Sequence, residues 1–195
     1  FYYLCKLYRD IVKKNAKIFV VKKDGWYSNN AKLLLNVYSD SKILWMVRDP
    51  RATYNSASKA IYSRSGQAMD KNVFRNSFLW RKYINKMISM RKESFDRMIE
   101  IYYEKFLSSP EENLALCWKF LDTRSLTKNE IKKEIMKKHS FSHLIKRSTE
   151  HLHKDVTNEI ILDYMHKWRK QLPNWKIYLI NFICKKQMQE TGYFY

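Results

Sequence analysis

The sequence predicts an α/β fold with a mostly parallel sheet and a helical C-terminal part. Short apolar, β-branched runs alternate with amphipathic helical stretches in the first half of the chain, and the last third shows only helical periodicity. The chain has 195 residues, of which 45% are hydrophobic, enough for one domain with its own core. We therefore expect residues 1–195 to form a single domain.

The first half of the chain has the pattern of a strand, a helix and a second strand. Residues 17–22 (KIFVVK) are short and β-branched and precede an Asp-Gly turn, and residues 28–38 carry apolar side chains at helical spacing. Residues 42–47 (KILWMV) are apolar almost throughout, which is typical of a central parallel strand that helices cover on both faces. Together the three segments predict a βαβ unit.

Helices account for most of the remaining chain, apart from a strand predicted at residues 97–103. Ser109 and Pro110 are the residue types expected at a helix cap and first position, and Pro173 is expected to separate the last two helices. The predicted helices span residues 50–63, 72–92, 109–121, 127–138, 156–172 and 173–189.

The chain is strongly basic. It has 38 Lys and Arg against 19 Asp and Glu, a formal net charge of +19 at pH 7. This charge suits a phosphate- or sulfate-bearing partner, and it is equally compatible with a compositional bias toward Lys. A nucleic-acid-binding module is an alternative, but no helix-turn-helix, zinc-finger or RNP-type signature occurs, and the aromatic residues fall at core positions.

The segment at residues 42–58 (KILWMVRDPRATYNSAS) carries the functional signal. Arg48 follows the predicted strand, Asp49 is suited to cap a helix, and Pro50 takes its first position. Free backbone N–H groups at a helix start, with an arginine at the end of a strand, suit a phosphate. Ser56 lies on a helix face that leads back toward Arg48, so we predict that both side chains reach one anion.

The same segment resembles the sulfotransferase superfamily, and specifically the Golgi carbohydrate sulfotransferases, whose hallmark is a strand ending in V-R-D-P-R-A with a serine eight residues after the first arginine. Three further blocks resemble the family in the same order: residues 101–121, Arg147-Ser148 followed by Trp168-Arg169, and residues 184–193 closing on Gly-Tyr. The resemblance implies a three-layer, P-loop-like fold and a location in the Golgi lumen or membrane.

The resemblance also implies an activity, the transfer of a sulfuryl group from 3′-phosphoadenosine 5′-phosphosulfate (PAPS) to a hydroxyl of a glycan. In the family the arginine and the serine bind the 3′-phosphate, which implies this role for Arg48 and Ser56. Lys22, Lys23 and Arg147 are further candidates for binding PAPS. The catalytic base is not assigned, no metal or nucleic acid is expected as a partner, and a non-catalytic member that only binds the nucleotide is a third alternative.

One part of the family pattern has no counterpart in this sequence. The family's Gly- and Ser-containing loop, which holds the 5′-phosphosulfate, is not matched, since glycine occurs only at positions 25, 66 and 192. We therefore expect an N-terminally truncated domain that is inactive alone, with any membrane anchor in the missing part.

Two smaller expectations follow from the resemblance. A lumenal, oxidising compartment implies that Cys117 and Cys184 pair if their helices meet, while Cys5 is partnered upstream. The Tyr103-Glu104 pair is expected to make a structural contact at a strand end rather than to react.

Overall fold

The computed structural model describes residues 31–60, 70–94, 96–121 and 165–193. Two strands, β1 (Ile43–Val47) and β2 (Met98–Tyr102), pair in parallel, with Ile43 opposite Met98 and Val47 opposite Tyr102. Because the strands run the same way and end in register, the residues that follow Val47 and Tyr102 lie side by side at one edge of the sheet.

Seven helices occur in this described part of the chain. They are α1 (Ala31–Val37), α2 (Pro50–Ala57), α3 (Val73–Glu93), α4 (Tyr103–Ser108), α5 (Pro110–Leu121), α6 (Lys167–Gln171) and α7 (Asn174–Glu190). The helices predicted at residues 28–38, 72–92, 109–121 and 173–189 are confirmed to within three residues, and Pro173 immediately precedes α7 as expected. None of these helices is both long and apolar enough to cross a bilayer.

Some predicted elements lie outside the described residues, and others differ from the structure. Residues 17–22, 61–63, 127–138 and 156–164 lie outside the described residues. The helix predicted at residues 50–63 was too long, because α2 ends at Ala57 and residues 58–60 are described but not helical. In the described part of the helix predicted at residues 156–172, α6 spans only Lys167–Gln171. The short helix α4 was not predicted, because six residues are too few to show a helical period. The parallel pair with its helices is an α/β arrangement, and the three-layer form stays a prediction.

The hydrophobic core lies where α7 packs against α3 beneath the sheet. Met87 of α3, together with Ile180 and Met188 of α7, leaves no surface exposed. Buried side chains recur at helical spacing along both helices, so each helix buries one face.

Strand β1 departs from its prediction. Trp45 packs against the core and Val47 is buried, but Leu44 and Met46 leave 43% and 52% of their surface exposed. The expectation that helices cover both faces of this strand is therefore not met in the region that the structure describes. An apolar run in the sequence shows that the side chains are apolar, but it does not show which neighbouring elements cover them.

The two cysteines among the described residues are free thiols. Cys117 on α5 and Cys184 on α7 are both buried, and the Cys184 thiol donates to the carbonyl of Ser77 at 3.4 Å. The disulfide that the resemblance implied between them is therefore wrong, because Cys184 is turned into the contact between α7 and α3.

We expect both thiols to resist alkylation in the folded protein. Burial raises the pKa of the Cys184 thiol to about 12 and also raises that of Cys117, so almost no reactive thiolate forms at mildly alkaline pH. Iodoacetamide labelling followed by peptide mass spectrometry checks this, with the protein in denaturant as the fast-reacting control. Equal labelling rates with and without denaturant would contradict it.

Candidate functional site

The carboxyl ends of β1 and β2 bring two dipeptides together. Arg48-Asp49 follows β1 and Tyr103-Glu104 follows β2. The Arg48 guanidinium lies over the Tyr103 ring, 4.6 Å from its centroid, and a Glu104 carboxylate oxygen accepts the Asp49 backbone N–H at 3.1 Å. Both contacts follow from the parallel register of the strands, which places these residues opposite each other.

The Arg48 side chain has an unsatisfied donor. Its Nε is buried and has no hydrogen-bond partner among the residues described. The ring of Tyr103 attracts the positive charge but offers no hydrogen-bond acceptor. A buried guanidinium N–H without an acceptor costs free energy, and an anionic ligand at this edge would supply the acceptor.

The start of α2 differs from its prediction. The Asp49 N–H is bonded to Glu104, Pro50 has no N–H, and the Arg51 N–H donates to the Asp49 carboxylate at 2.7 Å. The protein's own carboxylates thus occupy two of the backbone N–H groups that the sequence interpretation left free for an anion. An anion at this place would depend more on side chains than the sequence predicted.

Asp49 and Arg51 form a buried ion pair. The Arg51 Nη2 donates to Asp49 Oδ2 at 2.7 Å, and only 6% and 7% of the two side chains, Arg51 and Asp49 respectively, is exposed. The guanidinium also lies 4.1 Å from the Trp168 ring centroid and donates to the Tyr193 carbonyl at 2.9 Å. Arg51 therefore connects α2 to α6 and to Tyr193, three residues beyond the end of α7. Its side chain is engaged in structure rather than open to a ligand.

Asn55 and Lys59, which lie near Ser56 in α2 and just after it, both contact Gln171. Asn55 is buried and donates to the Gln171 side chain at 2.8 Å, and the Lys59 ammonium donates to the same oxygen. Ser56, on the same helix, is partly exposed. Its convergence with Arg48 on one anion stays a prediction.

The other predicted site residues lie outside the described residues. These are Lys22, Lys23 and Arg147. Within residues 31–60, 70–94, 96–121 and 165–193, no group of three or more His, Cys, Asp or Glu side chains is arranged to hold a metal ion.

Glu104 makes the structural contact that the sequence predicted, with a partner that the sequence did not reveal. Its second carboxylate oxygen accepts the hydroxyl of Tyr193, which is buried. Burial and the neighbouring Glu104 carboxylate raise the pKa of Tyr193 well above its ordinary value, so this hydroxyl keeps its proton and remains a donor. The only sequence signal was the Gly-Tyr pair that closes the last helical block.

A cavity of about 210 Å³ opens beside this contact. Glu104 and Tyr193 line one part of it, and Lys105, His166 and Arg169 add basic groups. The cavity therefore adjoins the same sheet edge as Arg48, and both acidic and basic residues contribute to its largely apolar lining. Sequence reasoning missed it because its walls come from four separate segments, at residues 49, 104–108, 165–169 and 193.

The chain is similar in sequence to a known protein family and to several known proteins. Residues 3–127 match the family model described as the sulfotransferase family. Protein-tyrosine sulfotransferase 2 of Gallus gallus is 30% identical over 105 residues, which cover 53% of this chain and 28% of the relative. Protein-tyrosine sulfotransferase A of Caenorhabditis elegans is 27% identical over 153 residues, which cover 77% of this chain and 39% of the relative.

A putative protein-tyrosine sulfotransferase of Caenorhabditis briggsae is 25% identical over 117 residues, covering 58% of this chain and 41% of the relative. The chain thus spans less than half the length of the curated relatives it matches. The family match covers more than half of this chain and includes both strands and the whole Arg48 region. The chain belongs to the sulfotransferase family.

Proposed function

We propose that the whole protein transfers a sulfuryl group from PAPS to an acceptor hydroxyl, and that Arg48 and Ser56 bind the 3′-phosphate of the donor. The buried Arg48 Nε without an acceptor, at the carboxyl end of β1, carries this proposal. A guanidinium recognises phosphate oxygens with its fork of N–H donors. The carboxyl edge of a parallel sheet is also where ligands of open α/β folds bind.

The reaction needs more than this anchor. The bond between sulfur and the bridging phosphate oxygen breaks, a bond from sulfur to the acceptor oxygen forms, and a base takes the acceptor proton. Holding the nucleotide at its 3′-phosphate fixes the distant sulfuryl group for in-line attack, which is catalysis by positioning. Lys22, Lys23 and Arg147 are proposed as further contacts to PAPS.

The two carboxylates beside Arg48 are poor candidates for the base. Asp49 is paired with Arg51, and both oxygens of Glu104 already accept hydrogen bonds, from Asp49 and Tyr193. A general base must be free to reach the proton that it removes. We therefore propose neither of them for this role.

For the acceptor, we propose a tyrosine hydroxyl in a protein. The three relatives are named as protein-tyrosine sulfotransferases, which supports tyrosine over the glycan hydroxyl implied by the sequence resemblance. A phenol has an unperturbed pKa near 10, far below that of a sugar alcohol, so its proton is easier to remove. A Golgi location is proposed from the resemblance.

Sulfate transfer by the whole protein tests the function. With sulfate-labelled PAPS, we expect label in a tyrosine-containing peptide, and label in a glycan instead would restore the carbohydrate acceptor. Binding of adenosine 3′,5′-bisphosphate without transfer to any acceptor would indicate a non-catalytic member. Absence of both, with steeply salt-dependent binding to DNA or RNA, would overturn the proposal in favour of a nucleic-acid module.

Replacing Arg48 with alanine tests the site. We expect Arg48→Ala to weaken the binding of adenosine 3′,5′-bisphosphate by about 1.5–3 kcal/mol, because a charge-assisted contact is lost, and Ser56→Ala to cost less. Isothermal titration calorimetry measures both. Arg91→Ala is the matched control, since Arg91 is an arginine of α3 paired with Glu100. Equal affinity in Arg48→Ala and the unmodified protein would reject the assignment.

A further inference from the structure

The peptide unit that joins Arg48 to Asp49 is held at both of its polar ends. Its carbonyl accepts the indole N–H of Trp80 at 2.9 Å, and its N–H donates to Glu104 at 3.1 Å. Because a peptide unit is planar, two hydrogen bonds on opposite sides fix its rotation. The direction in which the Arg48 side chain leaves the backbone depends on that rotation.

Glu104 is in turn held by Tyr193. The tyrosine hydroxyl donates to the Glu104 oxygen that does not contact Asp49, and it lies 3.3 Å from the carbonyl of Val47, the last residue of β1. The backbone carbonyl of Tyr193 accepts a hydrogen bond from Arg51 at 2.9 Å. Tyr193 thus contacts three groups around the turn at Arg48, namely the Val47 carbonyl, the Glu104 carboxylate and the Arg51 guanidinium.

The backbone after α7 is shaped to place this tyrosine. Gly192 has a φ of 73°, a left-handed conformation that glycine adopts without steric cost. The Tyr193 N–H donates to the Met188 carbonyl at 2.8 Å and the Gly192 N–H to Gln189 at 3.3 Å, the two bonds of a Schellman cap. The end of α7 therefore delivers the Tyr193 ring and hydroxyl to the sheet edge.

We propose that Tyr193 and Glu104 are positioning residues that hold the Arg48–Asp49 peptide in the orientation that binds the anion. This inference rests on the proposed function, because it assigns the pair to the affinity of the 3′-phosphate site. Neither residue needs to touch the nucleotide. The proposed role depends on the hydroxyl of Tyr193, since a phenylalanine would fill the same space without restraining the Glu104 carboxylate.

The test is Tyr193→Phe in the whole protein. Loss of one hydrogen bond in the chain that fixes Arg48 is expected to raise the Kd for adenosine 3′,5′-bisphosphate roughly two- to tenfold. The KM for PAPS should rise similarly, and the KM for the acceptor should not change. Glu104→Gln, which keeps an acceptor for the Asp49 N–H, is expected to retain more affinity than Glu104→Ala.

Tyr102→Phe is the matched control. Tyr102 lies at the same sheet edge, with its ring 6.1 Å from that of Tyr193, and its hydroxyl also donates to a carboxylate, that of Glu100 at 2.8 Å. Removing this hydroxyl should leave the nucleotide Kd unchanged. An equal loss of affinity in both variants would overturn the inference, because it would show a general loosening of the edge.

A double-mutant cycle separates positioning from simple destabilisation. In an Arg48→Ala background, Tyr193→Phe should cause no further loss of nucleotide affinity, because the side chain that it positions is gone. Additive losses would overturn the inference. If Arg48→Ala itself leaves the affinity unchanged, the proposed function fails; if Arg48→Ala weakens binding and Tyr193→Phe does not, only the positioning role fails.

Discussion

Replacing Arg51 with alanine is expected to lower the free energy of unfolding by about 3–5 kcal/mol, the cost of leaving one member of a buried ion pair without its partner. Asp49, whose side chain is 7% exposed, would keep a charge with no cation beside it. The substitution also removes the contact with the Trp168 ring and the hydrogen bond to the Tyr193 carbonyl. Three elements that meet at Arg51 would lose their connection together.

Arg51→Lys separates the charge from the shape of the side chain. Lysine keeps the positive charge but lacks the planar fork of N–H donors that bonds both Asp49 oxygens. We therefore expect the free energy of unfolding of Arg51→Lys to lie between those of the unmodified protein and Arg51→Ala. Lys32→Ala is the control, since Lys32 pairs with Glu93 on the surface and such exposed pairs contribute little. Urea unfolding followed by tryptophan fluorescence ranks the variants. A ranking in which Arg51→Lys equals the unmodified protein would contradict the buried-pair argument.

The sequence predicted the local structure of the Arg48 region well. Val47 ends a strand, Asp49 caps the next helix and Pro50 is its first residue, all as the residue types indicated. The sequence did not show that Glu104 would accept the Asp49 N–H or that the Arg51 side chain would pair with Asp49. Arg51 also contacts Trp168 and Tyr193, which lie more than 110 residues further along the chain.

The same contrast between local features and long-range contacts applies to the rest of the fold. Helices α3 and α7 were predictable because 21 and 17 residues give several helical turns with apolar side chains at helical spacing. The exposed face of β1 was not predictable, since an apolar run does not reveal whether a neighbour covers it. The contact between Glu104 and Tyr193 joins positions 89 residues apart, and no local pattern encodes such a pairing.

Ile180→Ala is expected to lower the free energy of unfolding by about 2–5 kcal/mol, because it opens a cavity where α7 packs against α3. Ile180 is fully buried, whereas Tyr178 on the same helix is 74% exposed, so Tyr178→Ala is the control and should change stability far less. Urea unfolding measures both. Helix α7 also carries Tyr193 just beyond its end, yet Ile180 is distant in sequence from that cap, so the folded Ile180→Ala protein should keep the unmodified Kd for adenosine 3′,5′-bisphosphate. A loss of stability in Tyr178→Ala equal to that in Ile180→Ala would contradict the assignment of the buried face of α7.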